Sequence, residues 1–162
     1  MCSFVVLMKQ IKNPKGEKTW LAKILQGNPW PGASEGRSEA RAFKGDQMKY
    51  KGSCHCGRVA FEVEGEVKEA TACNCSICSR KGSLLWFVPR DQLRMLTAES
   101  DLGTYTFNKH AIKHRFCQTC GIHPYGEGTD PKGNRMAAIN IRCLEGIDLE
   151  SVPVQHFDGR SL

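Results

Sequence analysis

The sequence has no long apolar run. Nothing in its 162 residues approaches the ~20 consecutive apolar positions of a membrane-spanning helix, so no membrane partner is expected. A secretory signal is not expected either: the short apolar stretch Phe4 to Met8 has no basic run before it and no small-residue cleavage site after it. Internal repeats and low-complexity tracts are absent, which argues against a repeat architecture. Cysteine falls short of a disulfide-built secreted scaffold, since nine cysteines in 162 residues lie below the roughly 8–10% of such chains. Together these absences lead us to expect a cytoplasmic protein in a reducing compartment, where closely spaced cysteines are more often metal ligands than disulfides.

What is present suits one ordinary domain, long enough to bury a real core and too short for two. The formal charge is +6, and its distribution decides whether it marks a nucleic-acid surface. Residues 1–47 hold eight Lys/Arg against four Asp/Glu, net +4, and residues 48–162 hold fifteen against thirteen, net +2. Seven thiolates on two divalent ions would bring the second segment to about −1, given the charge states that zinc ligation requires. No nucleic-acid partner is expected there.

The two segments also differ in pattern. Residues 1–47 carry Pro14, Pro29 and Pro31, five glycines and no sustained alternation, and are expected to be a flexible extension. At most Trp20 to Leu25 makes a helical turn or two. One reading puts the native start at Met48, which the intact mass of the endogenous protein decides. From Met48 onward the pattern is that of strands. Val59, Phe61 and Val63 alternate with Arg58, Glu62 and Glu64, one buried face and one wet one. Leu84 to Val88, Thr104 to Phe107, Ile112 to Phe116 and Ala137 to Cys143 read similarly. Two short helices are predicted, one after Cys75 and one over Asp91 to Leu96 behind Pro89. The expected fold class is mainly β, antiparallel, in a single domain over residues 48–162.

The cysteines carry the chemistry. They form Cys54-His55-Cys56-Gly57, then Cys73-Asn74-Cys75-Ser76-Ile77-Cys78, then Cys117-Gln118-Thr119-Cys120-Gly121. On a strand, Cys54 and Cys56 would face the same way and present two sulfurs to one ion. Gly121 permits a left-handed backbone that turns amides toward the thiolates of Cys117 and Cys120. Two such pairs complete the tetrahedral sulfur set of structural zinc, about 2.3 Å per bond. Cys73, Cys75 and Cys78 remain, and three protein ligands with a vacancy define a catalytic zinc site. Other readings stay open on residues alone: Cys54 and Cys56 pairing with two of the central trio, an iron–sulfur site, or a disulfide or redox pair. The four-plus-three division ranks first because the trio is local enough to hold an ion by itself.

Gly52-Ser53-Cys54-His55-Cys56-Gly57-Arg58-Val59, the Cys73 to Cys78 motif and Arg115-Phe116-Cys117-Gln118-Thr119-Cys120-Gly121 resemble the signature of the glutathione-dependent formaldehyde-activating enzyme family, which also includes centromere protein V. The resemblance spans about residues 48 to 162 and implies a zinc-stapled β-tent. It implies structural zinc on Cys54, Cys56, Cys117 and Cys120, and an active-site zinc on Cys73, Cys75 and Cys78. The implied reaction is that of a carbon–sulfur lyase, joining glutathione and formaldehyde as S-(hydroxymethyl)glutathione without a redox cofactor. The implied partners are a glutathione-like thiol and a small aldehyde. The sequence carries no signal of oligomeric state.

Three functions compete: this enzyme, a non-catalytic zinc-stabilised binding module, and a zinc-buffering or redox-sensing protein. Occupancy of the trio's fourth position separates the first two. Among further candidates, Arg80 and Lys81 would meet the carboxylates of glutathione, although a solvated surface pair is the commoner use of such residues. His114 and His123 would serve as fourth ligand or proton carrier, against the commoner packing role. Trp86 and Phe87 would wall the pocket, against plain core. His55 is expected at the surface, Cys143 as a small buried hydrophobe, and Cys2 as a thiol without function.

Overall fold

A computed structural model describes residues 48–161. The extension 1–47, the turn at Trp20 to Leu25 and Cys2 lie outside the described residues. Ten strands are described: β1 Lys49–Ser53, β2 Ala60–Glu64, β3 Ala70–Cys73, β4 Leu84–Pro89, β5 Leu93–Met95, β6 Leu102–Tyr105, β7 Lys113–Cys117, β8 Tyr125–Thr129, β9 Arg135–Asn140 and β10 Val154–Phe157. One α-helical turn, α1 Cys78–Lys81, follows β3. The strands form a three-stranded sheet in the order β1-β2-β5 and a seven-stranded sheet in the order β10-β3-β4-β9-β8-β7-β6. The fold is mainly β, as the alternation predicts. All pairings are antiparallel except β10 with β3, which run parallel and set Phe157 opposite Cys73.

The core follows from which faces are covered. Phe61 and Val63 on β2 are fully buried while Glu62 and Glu64 point outward to Lys49, the half-buried pattern of the sequence. Strand β4 differs, because its apolar run has no wet face. Trp86 and Val88 pack into the main core with Phe61, Leu93, Tyr125 and Ile139. Leu85 and Phe87 point the other way, into a second cluster with Cys73, Cys75, Ala138 and Phe157.

Two sequence expectations are corrected. The helix over Asp91 to Leu96 is a three-residue 3-10 turn, Arg90–Gln92, followed by β5. Leu93 is buried opposite Val63, and Arg94 bonds Glu62, so period-two pairing with β2 overrides helical spacing. The strand ending at Cys143 stops at Asn140, whose side chain accepts from the Arg142 amide and caps a 3-10 turn over Ile141–Cys143. Cys143 is half-buried against the main core. The helix expected after Cys75 is present as α1, ended by Gly82 in the left-handed region at φ 60° with its amide on the Cys78 carbonyl.

Candidate functional site

Four cysteine sulfurs, those of Cys54, Cys56, Cys117 and Cys120, lie within 4.8 Å of one another. Cys54 and Cys56 sit in the turn after β1 rather than on a strand, which corrects the presentation expected from side-chain alternation. This turn and that of the second pair are each closed by a left-handed glycine. Gly57 and Gly121 both have φ 74°, and their amides donate to the carbonyls of Cys54 at 3.1 Å and Cys117 at 2.9 Å. A left-handed residue at that point aims backbone N–H groups at sulfur. The Val59 amide donates to the Cys54 sulfur at 3.3 Å. The amides of Ile122 and then Cys56 hold the Cys120 thiol down to about 6.

The spacing tests whether a metal fits. The Cys54 and Cys56 sulfurs are 3.6 Å apart, and those of Cys56 and Cys117 are 3.7 Å apart. Bonds of about 2.3 Å to a tetrahedral zinc place sulfurs about 3.8 Å apart. The set fits one tetrahedral ion of zinc's size, and it ties the β1–β2 connection to the end of β7.

The sulfurs of Cys73, Cys75 and Cys78 form the second group within 4.8 Å. Cys73 ends β3, Cys75 lies in the following turn and Cys78 opens α1. Hydrogen bonding to Cys73 and then Cys75, together with burial, pushes the Cys78 thiol far up. Three crowded thiolates cannot coexist without a cation, so the donor set suits a metal ion. Among the described residues, no fourth His, Cys, Asp or Glu joins the trio.

Chain that follows β10 closes over this group. The Asn74 amide donates to the Phe157 carbonyl at 3.2 Å, the Asn74 side chain donates to Asp158 at 2.7 Å, and the Arg160 amide donates back to Asn74 at 2.9 Å. Gly159 lies against the trio so closely that an added Cβ would stand 2.6 Å from the Cys73 sulfur and 3.0 Å from the Cys75 Cβ.

Cys78 also lines a recess of about 520 Å³, mouth included, with Lys81, Ser83, His114 and His123 as its polar members. Ile77, Leu85, Phe87 and Ile112 are among its apolar members. Burial holds Lys81 down to about 8, against the opposing pull of Cys78 and Cys75. Burial and then Lys81 hold His114 down to about 4 and His123 to about 3. The Ser83 hydroxyl, His114 Nε2 and both His123 ring nitrogens are buried without a hydrogen-bond partner among the described residues, a condition that costs about 1–3 kcal/mol per group.

The sequence candidates separate accordingly. Phe87 walls the recess, whereas Trp86 faces the main core and packs edge-on against Tyr50 at 5.8 Å. Lys81 lines the recess, whereas Arg80 is exposed and donates to the Ser76 carbonyl. His55 is exposed. His114 and His123 stand 5.7 Å apart between ring centroids and belong to the recess, not to either sulfur group.

Residues 49–157 match the family profile described as glutathione-dependent formaldehyde-activating enzyme. The chain belongs to this family. All seven clustered cysteines fall within the matched span. A Fusarium vanettenii protein is 29% identical over 101 residues, covering 59% of this chain and 53% of its own length. A Talaromyces marneffei protein is 32% identical over 79 residues, covering 45% of this chain and 42% of its own. Both carry the provisional name of a glutathione-dependent formaldehyde-activating enzyme. The chain spans about half the length of these curated relatives. A crystal structure of a Rhodobacter sphaeroides protein, 33% identical, matches with a TM-score of 0.57 over 65% of this chain and 99% of that one.

Sequence reasoning missed Ser83 and Gly159. Ser83 follows the glycine that ends α1, and no motif distinguishes it from a loop serine. Gly159 lies past the last cysteine, and its only signal is the Asn74 that separates two ligand candidates and bonds Asp158 and Arg160 on either side of it. No helix among the described residues is long and apolar enough to cross a membrane.

Proposed function

We propose that residues 48–162 form a cytoplasmic two-zinc domain, to which residues 1–47 are an extension, and that it catalyses reversible addition of a small thiol to a small aldehyde. Cys54, Cys56, Cys117 and Cys120 hold the structural ion, and Cys73, Cys75 and Cys78 hold the catalytic one. The observation that carries this reading is the double position of Cys78, a member of the sulfur trio and of the recess wall at once. When bound there, zinc supplies the positive charge that lowers a thiol pKa from ~8.5 and yields thiolate at neutral pH.

The chain's own residues supply the rest. Lys81 offers the recess a cation, and the carboxylates of a glutathione-like thiol complement it. Leu85, Phe87 and Ile112 keep water from the reacting atoms. The addition forms one carbon–sulfur bond, moves the carbonyl π pair to oxygen and delivers the proton lost by sulfur to that oxygen. No net oxidation occurs, so the chemistry requires no redox cofactor, and the reverse direction is that of a carbon–sulfur lyase.

Metal content per chain, combined with NMR exchange spectroscopy of formaldehyde and glutathione, tests the proposal. The expected result is two zinc ions per chain and faster exchange with the protein than without. Two zincs without acceleration would reject the enzymatic part.

Gly159→Ala is expected to separate the sites. The added methyl would press on Cys73 and Cys75, and the overpacking costs roughly 1–3 kcal/mol locally. Under chelator competition the trio's ion should be lost first, at an affinity lowered about tenfold or more, with the amide NMR pattern around Cys117 retained. A variant that kept both ions under the same competition, with full exchange, would show that the close approach is not required.

A further inference from the structure

Three buried polar side chains converge on the recess without partners. Ser83, His114 and His123 are 5%, 7% and 9% exposed, and the unpartnered atoms are the Ser83 hydroxyl, His114 Nε2 and both His123 ring nitrogens. All three residues line the same cavity as Cys78. Buried polar atoms are normally paired, and a cluster of exceptions in one cavity marks a place where a ligand completes the pairing.

Their positions are fixed from behind. The Asn140 side chain donates to the His123 carbonyl at 3.1 Å, and the Asn140 amide donates to the Pro124 carbonyl at 2.8 Å. His114 lies on β7 opposite Gly126 of β8, which itself lines the recess. Phe107 stacks on the His114 ring at 5.5 Å. The backbone carrying both rings is therefore fixed beside the cavity, and the unpartnered nitrogens lie just beneath its largely apolar wall.

We propose that Ser83, His114 and His123 form an oxygen-recognition site, taking the carbonyl oxygen of the aldehyde and then the hydroxyl of its thiol adduct. This rests on the thiol–aldehyde reading above and assigns its oxygen side. A neutral imidazole offers one N–H donor and one acceptor, and a serine hydroxyl can do both. Burial keeps both rings neutral at physiological pH, so they can donate to an oxygen as the carbon–sulfur bond forms and accept from the hydroxyl that results. Proton balance is internal: the proton leaving sulfur ends on the former carbonyl oxygen.

Two unreactive thioethers of matched length test the site in the zinc-loaded protein. Methylthioethanol carries a hydroxyl one methylene farther from sulfur than in the formaldehyde adduct, which makes it stable, and methyl propyl sulfide replaces that hydroxyl with methyl. Long-range proton–nitrogen NMR should show the His114 and His123 ring nitrogens shifting with the first probe only. The hydroxyl probe should bind about tenfold tighter, the worth of one to two buried hydrogen bonds. In His123→Phe this preference should fall to near unity. Ser83→Ala should lower it severalfold and is a small enough change to leave the fold intact, so it decides the matter if His123→Phe does not fold. Equal binding of both probes to the unaltered protein, or a preference surviving both substitutions, would overturn the assignment. Failure of the catalytic reading is scored separately, by zinc content and formaldehyde exchange, and leaves the hydroxyl preference measurable.

Discussion

Replacing Cys117 with serine is expected to leave residues 48–162 without a stable fold. Cys117 is fully buried, pairs in register with Leu102 across β6 and β7, and has its sulfur 3.7 Å from that of Cys56. Its cluster joins the turn after β1 to the end of β7, two points that belong to different sheets. Structural zinc contributes on the order of 10 kcal/mol of folding free energy, and a whole domain is stable by only about 5–15 kcal/mol. Removing one of four ligands therefore removes most of the margin. Loss of amide dispersion by NMR, with zinc content near zero, is the expected readout. A folded variant retaining two ions would refute the structural role given to this cluster.

Cys75→Ser is expected to behave in the opposite way, folding normally but binding one zinc and accelerating formaldehyde exchange no more than buffer does. Cys75 is 1% exposed and belongs to the second core cluster, so the small volume change should cost no more than ~2 kcal/mol of stability. The local trio staples no second sheet, and losing its ion leaves the main core as it was. Metal analysis, thermal unfolding and exchange spectroscopy together check this. Should both cysteine variants stay folded with two ions, the division of labour between the clusters fails.

The partition into four and three sulfurs was legible because the cysteine spacing constrains it: three ligand candidates within six residues can meet without help from the fold. Strands with one wet face were legible for a similar reason, as Phe61, Glu62 and Val63 alternate with the pleat. Strand β4 was harder to read, because burial on both faces removes the alternation and gives no sign of which side faces the recess. Trp86 and Phe87 are neighbours with opposite destinations, and only the register with Ile139 and Ala138 on β9 separates them. Local spacing also misled at Asp91 to Leu96, where an offset compatible with a helix lost to pairing with β2. The turn around Cys54 hid in plain sight, since Gly57 follows its pair as Gly121 follows the other. Parallel pairing of β10 with β3 is set by contacts across some eighty residues, and no local pattern encodes it.

That long-range pairing dictates an order of maturation. Cys73, Cys75 and Cys78 leave the ribosome well before the chain that clamps them, and at ~5–20 residues per second the delay is on the order of ten seconds. Until Gly159 and Arg160 arrive, the three thiols are open to every competing metal and thiol in their surroundings. The four-sulfur centre has all its ligands by Cys120 and its supporting amide by Ile122, well before Gly159 is made. The trio to which we assign the chemistry is thus the last of the two sulfur groups to be closed over.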